Sequence, residues 1–195
     1  MVAIKNIAIL AAATSVVVAA PAPANAGFQR MEVRQLDVVD DLIHIGETFL
    51  HAITGTLGVL TNTSNGTQLQ NLQKALDSLN TQIPSLVKDI NGLNIPVISG
   101  IAGTVGSIVV NPIFKTLALI VETIGATLAS LPVDAFNTIQ NPAKIFQTLI
   151  KNIGALIDAF KKIFSNLGDA LGSLNSATSS LGSEVSSKLP PSSAQ

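Results

Sequence analysis

Asp40, His44, Glu47 and His51 follow one another at steps of four, three and four residues. On a helix such steps return to the same face, so the four side chains would form one stripe. Imidazole nitrogen and carboxylate oxygen can hold zinc or iron. Metal sites in helical bundles, however, gather ligands from facing helices, typically with Glu-x-x-His repeated on two of them. The chain has 2 histidines, and both stand on this one stretch. The stripe therefore reads as a solvated polar edge, and no metal or other cofactor is expected.

Other reactive sets are missing as well. The chain contains no cysteine, which removes thiolate chemistry and leaves stability to packing rather than disulfides. Its serines cluster in loops and toward the C-terminus, and no G-x-S-x-G, Walker or dinucleotide fingerprint appears. Without a nucleophile, a base and an orienting partner, the expectation is a protein that is not an enzyme. Tryptophan and tyrosine are absent and the formal net charge is −1. Lectin-like stacking and nucleic-acid binding thus lack both the aromatic platforms and the basic footprint they use.

The elements that could position anything are organised by the stretch from Ile95 to Leu131, whose only charges are Lys115 and Glu122. It reads as two nearly all-apolar helices, Val97 to Val110 and Pro112 to Leu131, separated by an Asn111-Pro112 cap and start. A helix without a charged face is the centre of a bundle or a membrane element. Ser99, Gly103 and Ser107 recur every four residues on the first half, a spacing that lets another backbone approach closely. Glu122, at the middle of the second half, weighs against a spanning helix. The bundle core is the preferred reading.

Met1 to Ala26 has the form of a secretory signal, with Lys5, the apolar run Ile7 to Ala20 and the Ala24-Asn25-Ala26 cleavage pattern. Residues 27–32 read as a short leader, and Arg30 and Arg34 offer single-arginine processing points. About 170 residues would remain, which fits one domain, here placed over 33–187, with a loose tail over 188–195. The protein is expected to be secreted, extracellular or in a cell wall.

Within that domain the first helix spans about Val33 to Leu60, with Leu36, Val39, Ile43, Leu50, Ile53, Leu57 and Leu60 as its apolar stripe and Gly46 as an interruption. The polar loop from Thr61 to Thr67 carries two N-glycosylation patterns, at Asn62 and Asn65. The second helix, about Gln68 to Ile90, keeps its stripe in phase across Pro84, as a kinked helix or two short ones would. After Pro132 a bridging segment leads to Asn141-Pro142, a second helix start. From Ala143 the residues Phe146, Ile150, Ile153, Ile157, Phe160, Phe164, Leu167, Leu171 and Leu174 alternate steps of four and three, predicting one helix that continues weakly to about Ser187. Lys144, Lys151, Lys161 and Lys162 fall outside that stripe, as a solvated face or one that meets anionic headgroups.

The fold expected is all-α, a bundle of about five amphipathic helices around a central apolar helix pair. Arg34-Gln35-Leu36-Asp37-Val38-Val39-Asp40-Asp41, the sequon-bearing loop and Ser183-Glu184-Val185-Ser186-Ser187-Lys188-Leu189-Pro190 give the chain a pattern that resembles the fungal cell-wall mannoproteins and hydrophobic-surface-binding proteins. The resemblance implies a small helical bundle that binds fatty acid or coats hydrophobic material, and it carries over no ligand residue.

Bundles build ligand sites between their helices. The expected function is binding of a fatty acid, another lipid-like ligand or a hydrophobic surface, with Phe114, Leu117, Val121, Phe146, Ile150, Ile153, Phe160 and Phe164 as the apolar lining. Nucleic acid is not an expected partner, and peripheral membrane contact is left open. Two rivals remain: a membrane-inserting toxin or pore former using the 95–131 hairpin, and a structural cell-surface protein whose core is simply full.

Overall fold

The computed structural model describes residues 26–62, 67–93, 106–164 and 168–189. Of the expected features, the signal up to residue 25, the first central helix up to residue 105, Asn65 and the tail from residue 190 lie outside them. Six α-helices and no strand are present among the described residues: α1 (Ala26–Thr61), α2 (Gln68–Gly92), α3 (Asn111–Ser130), α4 (Val133–Asn137), α5 (Pro142–Ile163) and α6 (Gly168–Lys188). A π-helical turn, Gly106–Val110, runs directly into α3. The chain divides into two compact units, residues 1–35 and 36–195. Of the first unit, residues 26–35 are described and are helical; the second is an all-α bundle.

Two helix pairs carry most of the packing, α3 along α6 and α2 along α5. The α2 seam is the one its periodicity predicts: Leu72, Leu76, Leu79, Ile83, Leu86 and Ile90 are all buried. Pro84 sits inside one continuous helix and does not end it. Its side chain is on an exposed position. Thr67 starts α2 with a reciprocal capping box: Gln70 N–H donates to Thr67 Oγ1 at 3.3 Å, and Thr67 N–H donates to Gln70 Oε1 at 3.1 Å.

The α1 seam differs from the expected stripe. Val39, Leu42, Gly46, Phe49, Ile53 and Thr56 are buried, while Ile43, Leu50 and Leu57 lie at its half-buried edge. Gly46 is therefore a member of the seam and not an interruption. A Cβ there would run into Val109 Cγ1 of the π turn, so glycine is what lets the Val109 side chain seat against the α1 backbone. Thr56 holds a seam position because its hydroxyl is satisfied across the interface, 3.0 Å from Ser78 Oγ of α2.

Two helix boundaries also depart from expectation. Asn111 is the first α-helical residue rather than the cap, because Val110 before it is already right-handed helical and no side-chain cap bond forms. Pro112 fits there, since its missing N–H falls in the first turn, where no α-helical partner exists. The long helix from Ala143 is in fact two. Phe164 turns to an extended conformation, φ −115° and ψ 123°, and ends α5. The break lets α6 leave the line of α5 and lie against α3, burying Ala170, Leu174, Ala177, Leu181 and Val185. The bridging segment after Pro132 contains the short helix α4, which buries Phe136. The Asn141-Pro142 start is where the pattern places it, but Asn141 is left-handed, φ 53°, and makes no side-chain cap bond. Asparagine tolerates that region better than most residues.

Candidate functional site

Seven of the eight apolar residues expected to line a ligand site are buried in the interior, where they pack in one core. The Phe114 ring of α3 meets the Phe160 ring of α5 edge-on, with centroids 5.5 Å apart and planes at 85°. Phe164 lies 6.3 Å from Phe160, and Phe146 stacks on Phe136 at 6.2 Å. Leu117, Val121 and Ile153 are buried beside them in the same core. Ile150 is half-buried, with its Cδ1 facing Gly182 of α6. Of the eight, Val121 borders a groove, between α3 and α6.

The apolar character of the centre reappears on the outside. Buried residues of α3 include Ile113, Phe114, Leu117, Ala118, Ile120, Val121, Ile124 and Leu128. Its other face is exposed: Lys115, Leu119, Glu122, Ala126 and Ala129, with Ile108 just before it. Leu119 is 49% exposed and Ile108 is 41% exposed. An outward face of a soluble helix normally carries several charges, and this one carries Lys115 and Glu122. Within the bundle one side of this helix therefore stays open.

The polar stripe of α1 is solvent-facing throughout: Asp40, His44, Glu47 and His51 are all exposed. Among the described residues no group of three or more metal-ligating side chains converges. Lys144, Lys151, Lys161 and Lys162 are exposed on α5. Lys162 Nζ reaches Asn91 Oδ1 of α2 at 3.5 Å. Of the two sequon asparagines, Asn62 is exposed, and its main-chain oxygen accepts a 2.7 Å bond from the buried Asn71 amide.

A groove of about 310 Å³ runs between α1 and α2, with Ile45, Phe49 and Leu86 among its walls. A second, of about 220 Å³, adjoins it. Ala52 and Gln82 border both. A chain of hydrogen bonds crosses the helix pair here. Gln82 Nε2 donates to Ser78 Oγ at 2.7 Å, Ser78 and Thr56 hydroxyls are 3.0 Å apart, and Thr56 Oγ1 donates to the Ala52 carbonyl at 3.3 Å. Gln82 Oε1 is buried with no hydrogen-bond partner.

Some polar contacts between helices had no sequence signal, because they join residues far apart in the chain. Asn152 Nδ2 donates to Asn80 Oδ1 at 3.1 Å, and Asn80 Nδ2 donates to the Ile145 carbonyl at 3.3 Å, tying α5 to α2. The T-x-x-Q capping box at Thr67 was the exception: its spacing is legible and could have been read. Comparison of the chain with protein-family models, with curated proteins and with solved structures found no match.

Proposed function

We propose that this is a secreted, non-catalytic protein, extracellular or in a cell wall, that binds hydrophobic surfaces or lipid-like material through an apolar helix face. The observation that carries the reading is the outward side of α3, where Leu119 is 49% exposed and Ile108 is 41% exposed among few charges. Large apolar residues held out of a well-filled core in this way are a feature of contact surfaces. The packed aromatic interior favours a surface or an assembled lipid over a guest sealed among Phe114, Phe146 and Phe160. The residues at 34–41 and 183–190, which resemble those of fungal hydrophobic-surface-binding proteins, point the same way.

A second reading draws on one observation. The segment Ile108–Ser130, of 23 residues, is the one helix among those described that is long and apolar enough to cross a membrane, with half of its most apolar stretch buried. A core helix passes the same test, and Glu122 at its middle would be costly in hydrocarbon. Peripheral contact fits the exposed stripe better than insertion does.

Adsorption of the purified protein to methyl-terminated and hydroxyl-terminated monolayers, followed by a quartz crystal microbalance, separates the readings. Retention is expected on the methyl surface, and Leu119→Ser is expected to lose most of it with little change in melting temperature. Equal adsorption to both surfaces, or an unaffected variant, would leave a plain structural scaffold. Dye release from lipid vesicles would favour insertion instead.

A further inference from the structure

The outward face of α3 presents two opposite charges on either side of a leucine. Lys115, Leu119 and Glu122 follow at steps of four and three residues and are all exposed, so they share one stripe. The two charges stand seven residues, about 10.5 Å, apart along the helix axis. Among the described residues neither makes an ion pair. A stripe of this kind carries its own complement. When a second α3 is laid antiparallel on the first, with a two-fold axis crossing midway between positions 118 and 119, Lys115 comes opposite the second copy's Glu122, and Glu122 opposite its Lys115. The two Leu119 side chains then meet beside the axis. Such an isologous contact needs only the one surface. A parallel pair would instead set lysine against lysine and glutamate against glutamate, a juxtaposition that costs free energy.

The surroundings of the stripe favour the same pairing. A groove of about 350 Å³ between α3 and α6 is lined by the small residues Gly125, Ala126, Ala129 and Ser180, and by Glu122 and Glu184. In the antiparallel pair it lies opposite the start of the other α3, where Lys115 and the exposed Ile108 stand. An incoming ammonium would meet two carboxylates there, and the small side chains leave room for its long stem. The formal net charge of −1 gives two copies little mutual repulsion.

We propose that in solution the outward face of α3 is covered by a second copy of this chain, in an antiparallel two-fold helix pair that sets Leu119 against Leu119 between reciprocal Lys115–Glu122 ion pairs. The proposal deepens the reading of α3 as a contact face, on which it rests: the pair keeps the apolar stripe out of water until a hydrophobic surface competes for it. One helix per copy makes a small interface, of the kind that transient complexes use. It therefore opens on dilution.

The test is sedimentation velocity of the purified protein over a dilution series, with interference optics because the chain has neither tryptophan nor tyrosine. The wild-type protein is expected to pass from dimer to monomer. Lys115→Glu turns both ion pairs into glutamate–glutamate contacts, and Glu122→Lys turns both into lysine–lysine, so each variant alone should associate about tenfold more weakly. Mixed in equal amounts, the two should associate more tightly than either does alone. The double swap K115E/E122K should recover most of the wild-type affinity. Added salt should weaken the wild-type pair and strengthen association of each single variant. Both positions are exposed, so the variants keep the fold, and they keep Leu119 and Ile108 for adsorption to the methyl monolayer. Failure of the two readings is thereby told apart: a wild-type protein that shows the swap pattern but no preference for the methyl surface loses surface binding and keeps the pair. A protein that stays monomeric at every concentration overturns the proposal, and so does a dimer indifferent to the charge swaps.

Discussion

The Lys188 ammonium, in the last turn of α6, stands 2.9 Å from the main-chain oxygen of Leu131, just past the end of α3. It also reaches the Ala129 carbonyl at 3.4 Å. The last carbonyls of a helix have no partner within it and carry the negative end of its dipole. A lysine from the neighbouring helix therefore closes the C-terminus of α3 and fixes the two helices in register. Lys188→Met keeps most of the stem's packing and removes the charge, so it should cost about 1 kcal/mol. Urea unfolding with tryptophan-free detection, by far-ultraviolet circular dichroism, measures it.

Gly46 and Gly55 lie on the same helix and should respond to alanine with opposite signs. At Gly46 the new methyl group meets Val109 Cγ1, so α1 must back away from the π turn, and overpacking of this kind costs about 1–3 kcal/mol. At Gly55 an added methyl group meets nothing within 4 Å outside its own helix's backbone. Alanine there relieves the entropy that glycine loses in a helix and should stabilise by about 0.5–1 kcal/mol. Thermal melts of the two variants side by side check the sign, and a shared sign would mean that α1 does not dock as described.

These two glycines also mark where sequence reading succeeded and where it stopped. The seams of α2 and α5 were legible because Leu, Ile and Phe fill nearly every inward position. The seam of α1 was displaced, because Gly46 and Thr56 hold inward positions and neither is apolar. What qualifies them is the Val109 side chain seated against Gly46 and a hydroxyl partner at Ser78, both of which are set by another element. The end of α5 at Phe164 was hidden for a different reason: the four-three rhythm continues in phase through Leu171 and Leu174, and only the gain from packing α6 on α3 decides for a break. On α3 the apolar composition was plain, but Leu117 and Leu119 are chemically identical. Helical phase is what separates them: Leu119 stands four residues after Lys115 and three before Glu122, on the charged face, and Leu117 shares the face of Phe114 and Val121.

Thr67 has two roles that mutation can separate. Its hydroxyl caps α2, and it is also the third residue of the Asn65-Gly66-Thr67 acceptor pattern. Thr67→Ala removes both and should destabilise by about 1 kcal/mol. Thr67→Ser keeps both. Asn65→Gln removes only the acceptor and should leave the stability of unglycosylated protein within about 0.5 kcal/mol of the starting value. Unfolding of bacterially produced protein reads the cap alone, and the mass of protein from a eukaryotic secretory host reads the modification.

The edge-on contact of Phe114 with Phe160 allows a test of whether the interior holds a guest. If the aromatic cluster surrounded a lipid, shortening Phe160 would strip the site of a contact and weaken uptake. In a filled core the same change opens a hole. Phe160→Ala should cost about 3–5 kcal/mol, as deletion of a buried ring does when its surroundings relax only in part. The apolar cavity left behind should then admit benzene or xenon, as engineered cavities lined by Leu, Ile and Phe do. The expected result is therefore a less stable protein that gains saturable benzene binding and regains part of its melting temperature when benzene is present. A wild-type protein that already binds benzene or fatty acid among these residues, and loses it on Phe160→Ala, would place a guest inside the bundle and return the outward face of α3 to a lesser role.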